Sequence, residues 1–252
     1  MGMLTELRYW LAEKVAPTPR YSDGGGAPVD AFGRQARPTE RDLIREWRET
    51  VYACSTMIAQ QYAATPLRLY VTTGAGQIRP KCATRKLDRR QRSWLQENKG
   101  TAGHMRKAVV VEEVLDHPLL TLLEQVNDLL DAFSLLELTD LYLEITGMAY
   151  WWLPLGPLGI PEAIWVLPSQ FVTPKWSDDK RTILRYEYGS GLSVQQIPID
   201  QVIRFTFPSL ADPYGEGCSP ARAAWESIMT GSKSAAFVNV MFDNRGRPDA
   251  IL

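Results

Sequence analysis

Histidine and cysteine are scarce in this chain of 252 residues, which contains two histidines and three cysteines. Neither His104 nor His117 is spaced from a second potential ligand as in a zinc site, and the three cysteines form no Cys-x-x-Cys pair. The sequence therefore predicts no metal site and no disulfide framework, and it fits a reducing compartment.

Motifs that mark common enzymes are missing as well. The sequence has no Gly-x-x-x-x-Gly-Lys loop for nucleotide phosphates and no Gly-x-Ser-x-Gly turn for a nucleophilic serine. Cys218 precedes a predicted helix, where the helix dipole can lower the pKa of a thiol, but an inert packed cysteine is the preferred interpretation. We expect no catalytic residues and no cofactor, with an α+β enzyme of unrecognised site as one alternative.

Long uncharged apolar runs are absent too. The first twenty residues lack the apolar core of a signal peptide, and the most apolar region, 133–160, contains Glu137, Asp140 and Glu144. The hydrophobic fraction of 45% is enough for a core, and the net charge of −1 gives no overall attraction to nucleic acid or to an anionic membrane. These features predict a soluble, intracellular chain without a membrane partner.

The N-terminal part divides into two segments. Residues 1–38 combine an amphipathic helix over 4–15 with a stretch rich in proline and glycine that is typical of a flexible arm. Thr39 can cap a helix over 40–63, and the sequence PLRLYV that follows is typical of a half-buried strand. The apolar face predicted for this helix consists of Leu43, Trp47, Val51, Cys54, Ile58 and Tyr62.

Residues 79–107 differ from the rest of the chain in charge. They hold ten basic and two acidic side chains, a local excess of eight positive charges. A surface that faces phosphates has this composition, but Trp94 is the only aromatic residue of the segment. A solvated insertion between two core elements is therefore the preferred interpretation.

The pattern of residues 117–207 predicts two helices followed by short strands. His117-Pro118 opens the first helix, and the second covers residues 132–146, with Gly147 at its C-terminal end. Its predicted buried stripe consists of Leu135, Leu138, Leu141, Tyr142 and Ile145. Six aromatic and β-branched stretches then predict a small antiparallel sheet of about five or six strands. The predicted fold class is α+β, with helices packed on this sheet.

The last predicted helix is long. Ser219 is a good N-cap, Pro220 is a good first residue, and the helix is predicted to run to Phe242. Small residues lie beside large apolar ones, a pattern that permits close approach of another helix, although an ordinary core helix has the same composition. Residues 244–252 then begin a strand.

Several stretches together resemble the portal proteins of tailed bacteriophages, of the HK97-like type. The matching stretches are VYACSTMIAQQYAATPLRLY, HPLLTLLEQVND, FSLLELTDLYLEITGMAYWWL, VLPSQFVTP, DQVIRFTFPS, YGEGCSPARAAWESI and DNRGRPDAIL. They follow the family's order from Val51 to Leu252, with Arg204 where the family commonly has histidine. Residues 1–40 and 79–107 carry no resemblance.

The resemblance implies a structural protein that forms a ring of twelve subunits at one capsid vertex. Double-stranded DNA is packaged and ejected through such a ring. For this chain it implies a wing domain over 39–213, a loop and stem helix over 214–243 and the start of the clip over 244–252. Because portal chains of this family continue past that point, the resemblance also implies that the chain is the N-terminal part of a portal.

The implied partners are further copies of the chain, the large terminase subunit, the major capsid or scaffold protein, head-completion proteins and the DNA in the channel. The implied locations are the virion and, during assembly, the host cytoplasm. An alternative is a nucleic-acid-binding or other assembly protein that uses residues 79–107. The candidate DNA-facing residues are Lys233, Arg245 and Arg247, and the candidate subunit contacts are Trp225, Gly231, Ala235 and Phe237.

Overall fold

Helices and small antiparallel sheets make up the described part of the chain, which confirms the predicted α+β class. The computed structural model describes residues 38–73, 82–97, 110–177, 182–190, 193–210 and 213–243. The predicted N-terminal helix and arm and the predicted strand over 244–252 lie outside the described residues. From Thr39 onward the described residues belong to one compact unit.

The predicted cap is present at the start of α1, which spans Glu40–Arg45. The Thr39 hydroxyl accepts a hydrogen bond from the Asp42 amide, and the Asp42 carboxylate accepts one from the Thr39 amide. This reciprocal pair satisfies backbone donors that the first turn of a helix leaves unpaired.

The single helix predicted over 40–63 is interrupted, so this prediction was wrong. α1 ends at Arg45, and a short turn follows. α2 spans Glu49–Ala63, and its first residue, Glu49, has a left-handed φ of 49°. The Trp47 indole N–H donates to the Ser55 hydroxyl at 2.9 Å, which holds the turn against α2. Regular apolar spacing carries no sign of such a side-chain bond.

A separate three-stranded sheet follows α2 and contains part of the basic segment. Its strands are β1 (Leu69–Thr73), β2 (Thr84–Lys86) and β3 (Val110–Val114), in the antiparallel order β1-β3-β2. Helix α3 (Arg89–Glu97) packs on this sheet. Their shared cluster consists of Leu87, Leu95, Val111 and Tyr70. The described part of the basic segment, residues 82–97, therefore contains a strand and a helix that share a small core with β1 and β3.

The next two helices have the predicted ends. α4 spans Pro118–Glu124, and its first turn is capped by His117, whose Nδ1 accepts from the Leu119 amide at 3.1 Å. α5 spans Ala132–Thr146 and ends at Gly147, which has a left-handed φ of 85°. Both helix predictions are confirmed, because caps of this kind are encoded by neighbouring residues.

α5 is the central helix, and α1, α2 and the strands after it pack around it. Leu135 and Ile145 of the predicted stripe are buried, but the other three are only half-buried and four residues outside the stripe are buried, so the predicted stripe was partly wrong. Those four are Leu136, Thr139, Asp140 and Thr146.

α2 meets α5 through small side chains, which corrects the predicted apolar face. The buried residues of α2 are Ser55, Ala59 and Ala63. Cys54 is exposed, and Ile58 and Tyr62 are each 49% exposed. A helix that packs closely on another needs small residues at the contact, and a pattern of large apolar residues does not identify that contact.

All six predicted strands after α5 are present. They are β4 (Met148–Trp152), β5 (Trp165–Leu167), β6 (Val172–Trp176), β7 (Ile183–Ser190), β8 (Ser193–Pro198) and β9 (Val202–Thr206). They form two antiparallel sheets, β5-β4-β9 and β6-β7-β8, and not the single sheet that was predicted. β4 pairs with the distant β9, whereas β6, β7 and β8 pair in chain order, and spacing along the sequence does not encode that difference.

The last predicted helix begins at the predicted residue but has a break. α6 spans Pro220–Ala223 and α7 spans Trp225–Asp243, with Ala224 between them. The Ser219 side chain accepts from the Arg222 amide at 2.9 Å, which confirms the predicted N-cap.

Candidate assembly surface

α7 is attached to the rest of the fold through a junction at the end of α5. The Ser219 hydroxyl, which is 1% exposed, donates to the Ile145 carbonyl at 2.8 Å and accepts from the Arg222 amide. One hydroxyl therefore satisfies a carbonyl at the end of α5 and caps α6. The Phe207 amide donates to the Gly147 carbonyl at 3.0 Å, so the chain after β9 joins the same junction.

The first turns of α7 are anchored in an apolar cluster. Trp225, which is 7% exposed, packs with Leu43 of α1 and Ile145 of α5. Two turns further along, the Arg48 guanidinium donates to the Ser232 hydroxyl at 2.8 Å. The α7 side chains that cover the cluster are Ile228 and Met229. The start of α7 is thus fixed against α1, α2 and α5.

The second half of α7 has no comparable packing in the described chain. Every described side chain after Ala235 is exposed. Its last two turns nevertheless carry five large apolar residues, of which Phe237 is 65% and Phe242 77% exposed. The other three are Val238, Val240 and Met241. An apolar concentration at the exposed end of a helix is typical of an interaction surface.

Three of the five apolar residues of this half, Phe237, Val238 and Met241, lie away from the core-facing side of α7. Seven-residue steps from Trp225 and Met229 reach Ser232 and Ala236, which are small, whereas the steps from Ile228 reach Ala235 and then Phe242. Phe237 lies about 120° of helix rotation from Trp225. Phe237 therefore lies on a side of the helix that the described domain does not cover, and Phe242 continues the row of Ile228 beyond the end of the core cluster.

The four candidate subunit contacts lie in different environments. Trp225 is buried in the core of its own chain, and Ala235 is half-buried. Gly231 and Phe237 are exposed, and a Cβ placed on Gly231 would have no described atom within 4 Å. Small size at Gly231 is therefore not required by packing within the described part of the chain.

The candidate DNA-facing residues are only partly described. Lys233 is exposed on α7 and forms no ion pair with a described residue. Arg245 and Arg247 lie outside the described residues.

Arg204 of β9 holds the loop that precedes α6. Its guanidinium donates to the Tyr214 carbonyl at 3.3 Å and also to the Gly215 carbonyl, and it lies 5.9 Å from the centroid of the Trp176 ring. These contacts fix the chain just before the Ser219 junction. Sequence reasoning noticed the arginine only as a departure from a common histidine.

A partly buried carboxylate lies on α1. Burial raises the pKa of Glu40 from its usual 4.5 to about 7, and the nearby Glu216 carboxylate adds to the rise. The positive charge of Arg222 and a hydrogen bond with Ser169 oppose it. Arg222 also pairs with Glu216 at 3.5 Å, so α1 and the start of α6 share one electrostatic environment.

Glu40→Gln should make the fold more stable at alkaline pH. A raised pKa means that the folded chain keeps a proton which the unfolded chain releases, so stability is lost as pH rises from about 4.5 through about 7. The variant should remove this loss and gain on the order of 1–3 kcal/mol at pH 8, and gain less at pH 5. Urea unfolding at both pH values measures it, with the exposed Glu226→Gln as the control. An equal effect of Glu40→Gln at the two pH values would contradict the assignment.

No group of three or more His, Cys, Asp or Glu side chains in the described ranges is placed to hold a metal ion. Among the helices of those ranges, none combines the length and the apolar character that crossing a membrane requires.

Known proteins resemble this chain in sequence pattern and in fold. A family model described as phage portal protein matches residues 101–252, which is more than half of the chain. The match leaves out residues 51–70, which resembled the same family in the sequence analysis. The comparison with curated proteins gave no match.

Three solved structures contain chains of similar fold. The first is the neck of an empty gene transfer agent (GTA) particle computed with C6 symmetry. A chain in that structure is 18% identical to this chain, with a TM-score of 0.59, and the match covers 83% of this chain. A chain in the virion of a native GTA particle has 17% identity, a TM-score of 0.59 and covers 88%. A chain in the neck of a native GTA particle computed with C12 symmetry has 16% identity, a TM-score of 0.55 and covers 83%.

This chain spans about half the length of those chains, covering 48%, 49% and 47% of them. At these identities the similarity shows a shared fold.

Proposed function

This chain belongs to the phage portal protein family, and from that premise we propose that it is a structural subunit of a ring at the neck of a virus-like particle. Double-stranded DNA passes through the centre of this ring during packaging and ejection. The C6 and C12 symmetries of the neck structures that share its fold support a ring, and twelve copies is the number we propose.

The observation that carries the proposal is the exposed apolar half of α7. Its first turns are anchored by Trp225, while Phe237 and Phe242 are exposed in the second half of the helix, beyond the core cluster. Contacts in a closed ring are heterologous, so one face of a subunit covers a different face of the next. The end of α7 is well suited to such a contact, and Gly231 and Ala235 permit close approach.

The domain roles and partners follow from the same premise. We assign the wing to residues 39–213, the loop and stem helix to 214–243 and the start of the clip to 244–252. The residues that would face the DNA are Lys233, Arg245 and Arg247. Three positive charges per subunit would bind phosphates weakly, which suits a channel that must release its DNA. The further partners would be a large terminase subunit, a capsid or scaffold protein and head-completion proteins, in the virion and earlier in the host cytoplasm.

The double variant Phe237→Ser/Phe242→Ser should prevent assembly and leave the fold intact. Both side chains are exposed in the single chain, so their loss costs the monomer little, whereas a ring would lose apolar burial at every contact. Sedimentation velocity and negative-stain electron microscopy of the chain at rising concentration measure assembly.

The matched control is Leu184→Ser/Leu210→Ser, which removes two exposed apolar residues outside α7. Rings from the control but not from the α7 variant are expected. Equal assembly of both variants would overturn the proposed role of α7, and a wild-type chain that stays monomeric at every concentration would count against ring formation.

A further inference from the structure

The sequence separates its charges along the chain. Residues 79–107 hold ten basic and two acidic side chains, whereas residues 108–174 contain ten carboxylates and neither lysine nor arginine. The net charge of −1 therefore conceals two adjoining segments of opposite sign. Such a chain can present complementary surfaces to a second copy of itself.

α3 presents the basic segment as an exposed surface. Arg89, Arg90 and Arg92 are exposed, and within the described ranges none of the three forms an ion pair or a side-chain hydrogen bond. Trp94, one turn after Arg90, is 59% exposed. These four residues are called the basic face below.

The stability of the small domain does not account for the basic face. The arginines occupy the first turns of α3, the end of a helix where its dipole disfavours cations. Nearby arginines are used internally: Arg85 pairs with Glu113 at 2.6 Å, and Arg68 pairs with the same carboxylate at 3.4 Å. Exposed arginine and tryptophan are the residues that contribute most at protein interfaces.

The acidic segment has an exposed surface around the loop between α4 and α5. Glu124 and Asp131 lie at the two ends of this loop and are exposed. Glu162, also exposed, lies two residues before Ile164, whose carbonyl accepts a hydrogen bond from the Asn127 side chain of this loop at 2.7 Å. No ion pair to a described residue neutralises these three carboxylates.

Two exposed apolar side chains lie near these carboxylates in the chain. Leu129, in the loop itself, is 70% exposed, and Ile160, two residues before Glu162, is 60% exposed. The three carboxylates together with Leu129 and Ile160 are called the acidic face below. The acidic face is complementary to the basic face, because its carboxylates can pair with guanidinium groups and its aliphatic side chains can pack against an indole ring.

We propose that the basic face of one subunit docks on the acidic face of the next copy of this chain around the ring. The inference rests on the proposed ring and names one of its contacts. A heterologous contact needs two different complementary surfaces on one chain, and this chain has both. Duplex DNA is the competing occupant of α3; the single exposed indole and the matching acidic face favour a second copy.

Two charge-reversed variants test the contact. One is Arg89→Glu/Arg90→Glu/Arg92→Glu, and the other is Glu124→Arg/Glu162→Arg, which leaves Asp131 in place because it caps α5. In either variant alone, every contact opposes like charges, and we expect at least a tenfold weaker assembly than that of the wild type. An equimolar mixture should restore assembly, because alternating subunits then pair reversed faces with reversed faces and native with native.

Sedimentation velocity at low and physiological salt measures assembly, and native mass spectrometry counts each variant in the restored ring. Rescue by mixing cannot arise from repair of a folding defect, and circular dichroism of each variant checks the fold separately. Equal numbers of the two variants in one ring are expected.

Three outcomes would overturn the contact. Rings from either variant alone would remove it and leave the proposed ring standing. Folded variants that stay apart when mixed would do the same, provided the wild type assembles. If the arginine variant assembles normally but no longer binds DNA at low salt, the basic face of α3 binds DNA and not a second copy of the chain. If the wild-type chain forms no oligomer at any salt concentration, the proposed ring itself is overturned.

Discussion

Trp225→Ala should destabilise the fold by about 3–5 kcal/mol, the range for removing a buried aromatic side chain. The indole is 7% exposed and fills the space between Leu43 of α1 and Ile145 of α5. Truncation leaves a cavity where α1, α5 and α7 meet. Urea unfolding measures the loss, and limited proteolysis should cut α7 earlier in the variant than in the wild type.

Trp225→Phe is the matched control for this prediction. Within the described ranges the buried Trp225 Nε1 has no hydrogen-bond partner, so phenylalanine removes an unsatisfied donor while keeping most of the apolar volume. The expected loss is under about 1.5 kcal/mol. Equal losses for alanine and phenylalanine would show that packing of the ring does not anchor α7, and the assembly surface would need another explanation for its position.

The helix ends could be predicted because caps are local. Thr39, His117 and Ser219 each bind an amide two or three residues later in the chain, and Gly147 supplies a left-handed φ. Such signals survive in a single sequence because both partners lie within one turn. The break after Arg45 accompanies a side-chain bond between Trp47 and Ser55, which apolar periodicity could not reveal, and the break at Ala224 has no explanation among the described contacts.

Pairing of the strands and the buried face of α2 could not be predicted for the same reason. The strand that follows α5 pairs with β9, more than fifty residues later, and only the assembled core selects that partner over a nearer strand. α2 buries Ser55 and Ala59 because α5 approaches closely there, which leaves larger residues such as Ile58 outside. Composition identifies apolar residues, and the packing partner decides which of them are covered.

The candidate site shows the same division. The last helix was expected to contact a partner through its small and large residues together. The structure gives the large residues of this helix different roles. Trp225 anchors the helix within its own chain, and Phe237 lies in the exposed second half of α7. The charge segregation between residues 79–107 and 108–174 was visible in the sequence, but only the fold shows that the chain at Ile164, two residues after Glu162, is bonded to the loop between Glu124 and Asp131.

Gly147→Ala should destabilise the fold by about 2–4 kcal/mol. The φ of 85° alone costs an alanine about 1–2 kcal/mol. In addition, the new Cβ would lie 2.7 Å from the Gly217 carbonyl oxygen and 3.0 Å from the Ser219 amide nitrogen, both of them backbone atoms that no rotamer change can move. The backbone must separate there, and the Ser219–Ile145 hydrogen bond would weaken by about 1 kcal/mol.

Gly159→Ala separates the two causes. Gly159 has a φ of 70°, and a Cβ on it would have no described atom within 4 Å, so this variant carries the conformational cost without the crowding. Urea unfolding should therefore show a loss of about 1–2 kcal/mol for Gly159→Ala and a clearly larger one for Gly147→Ala. Equal losses would mean that the close approach of residues 147 and 217 does not hold the junction. A larger loss at Gly147 would mean that the start of α7 is positioned by backbone contact with the end of α5, so the same variant should also assemble less well at temperatures where the monomer remains folded.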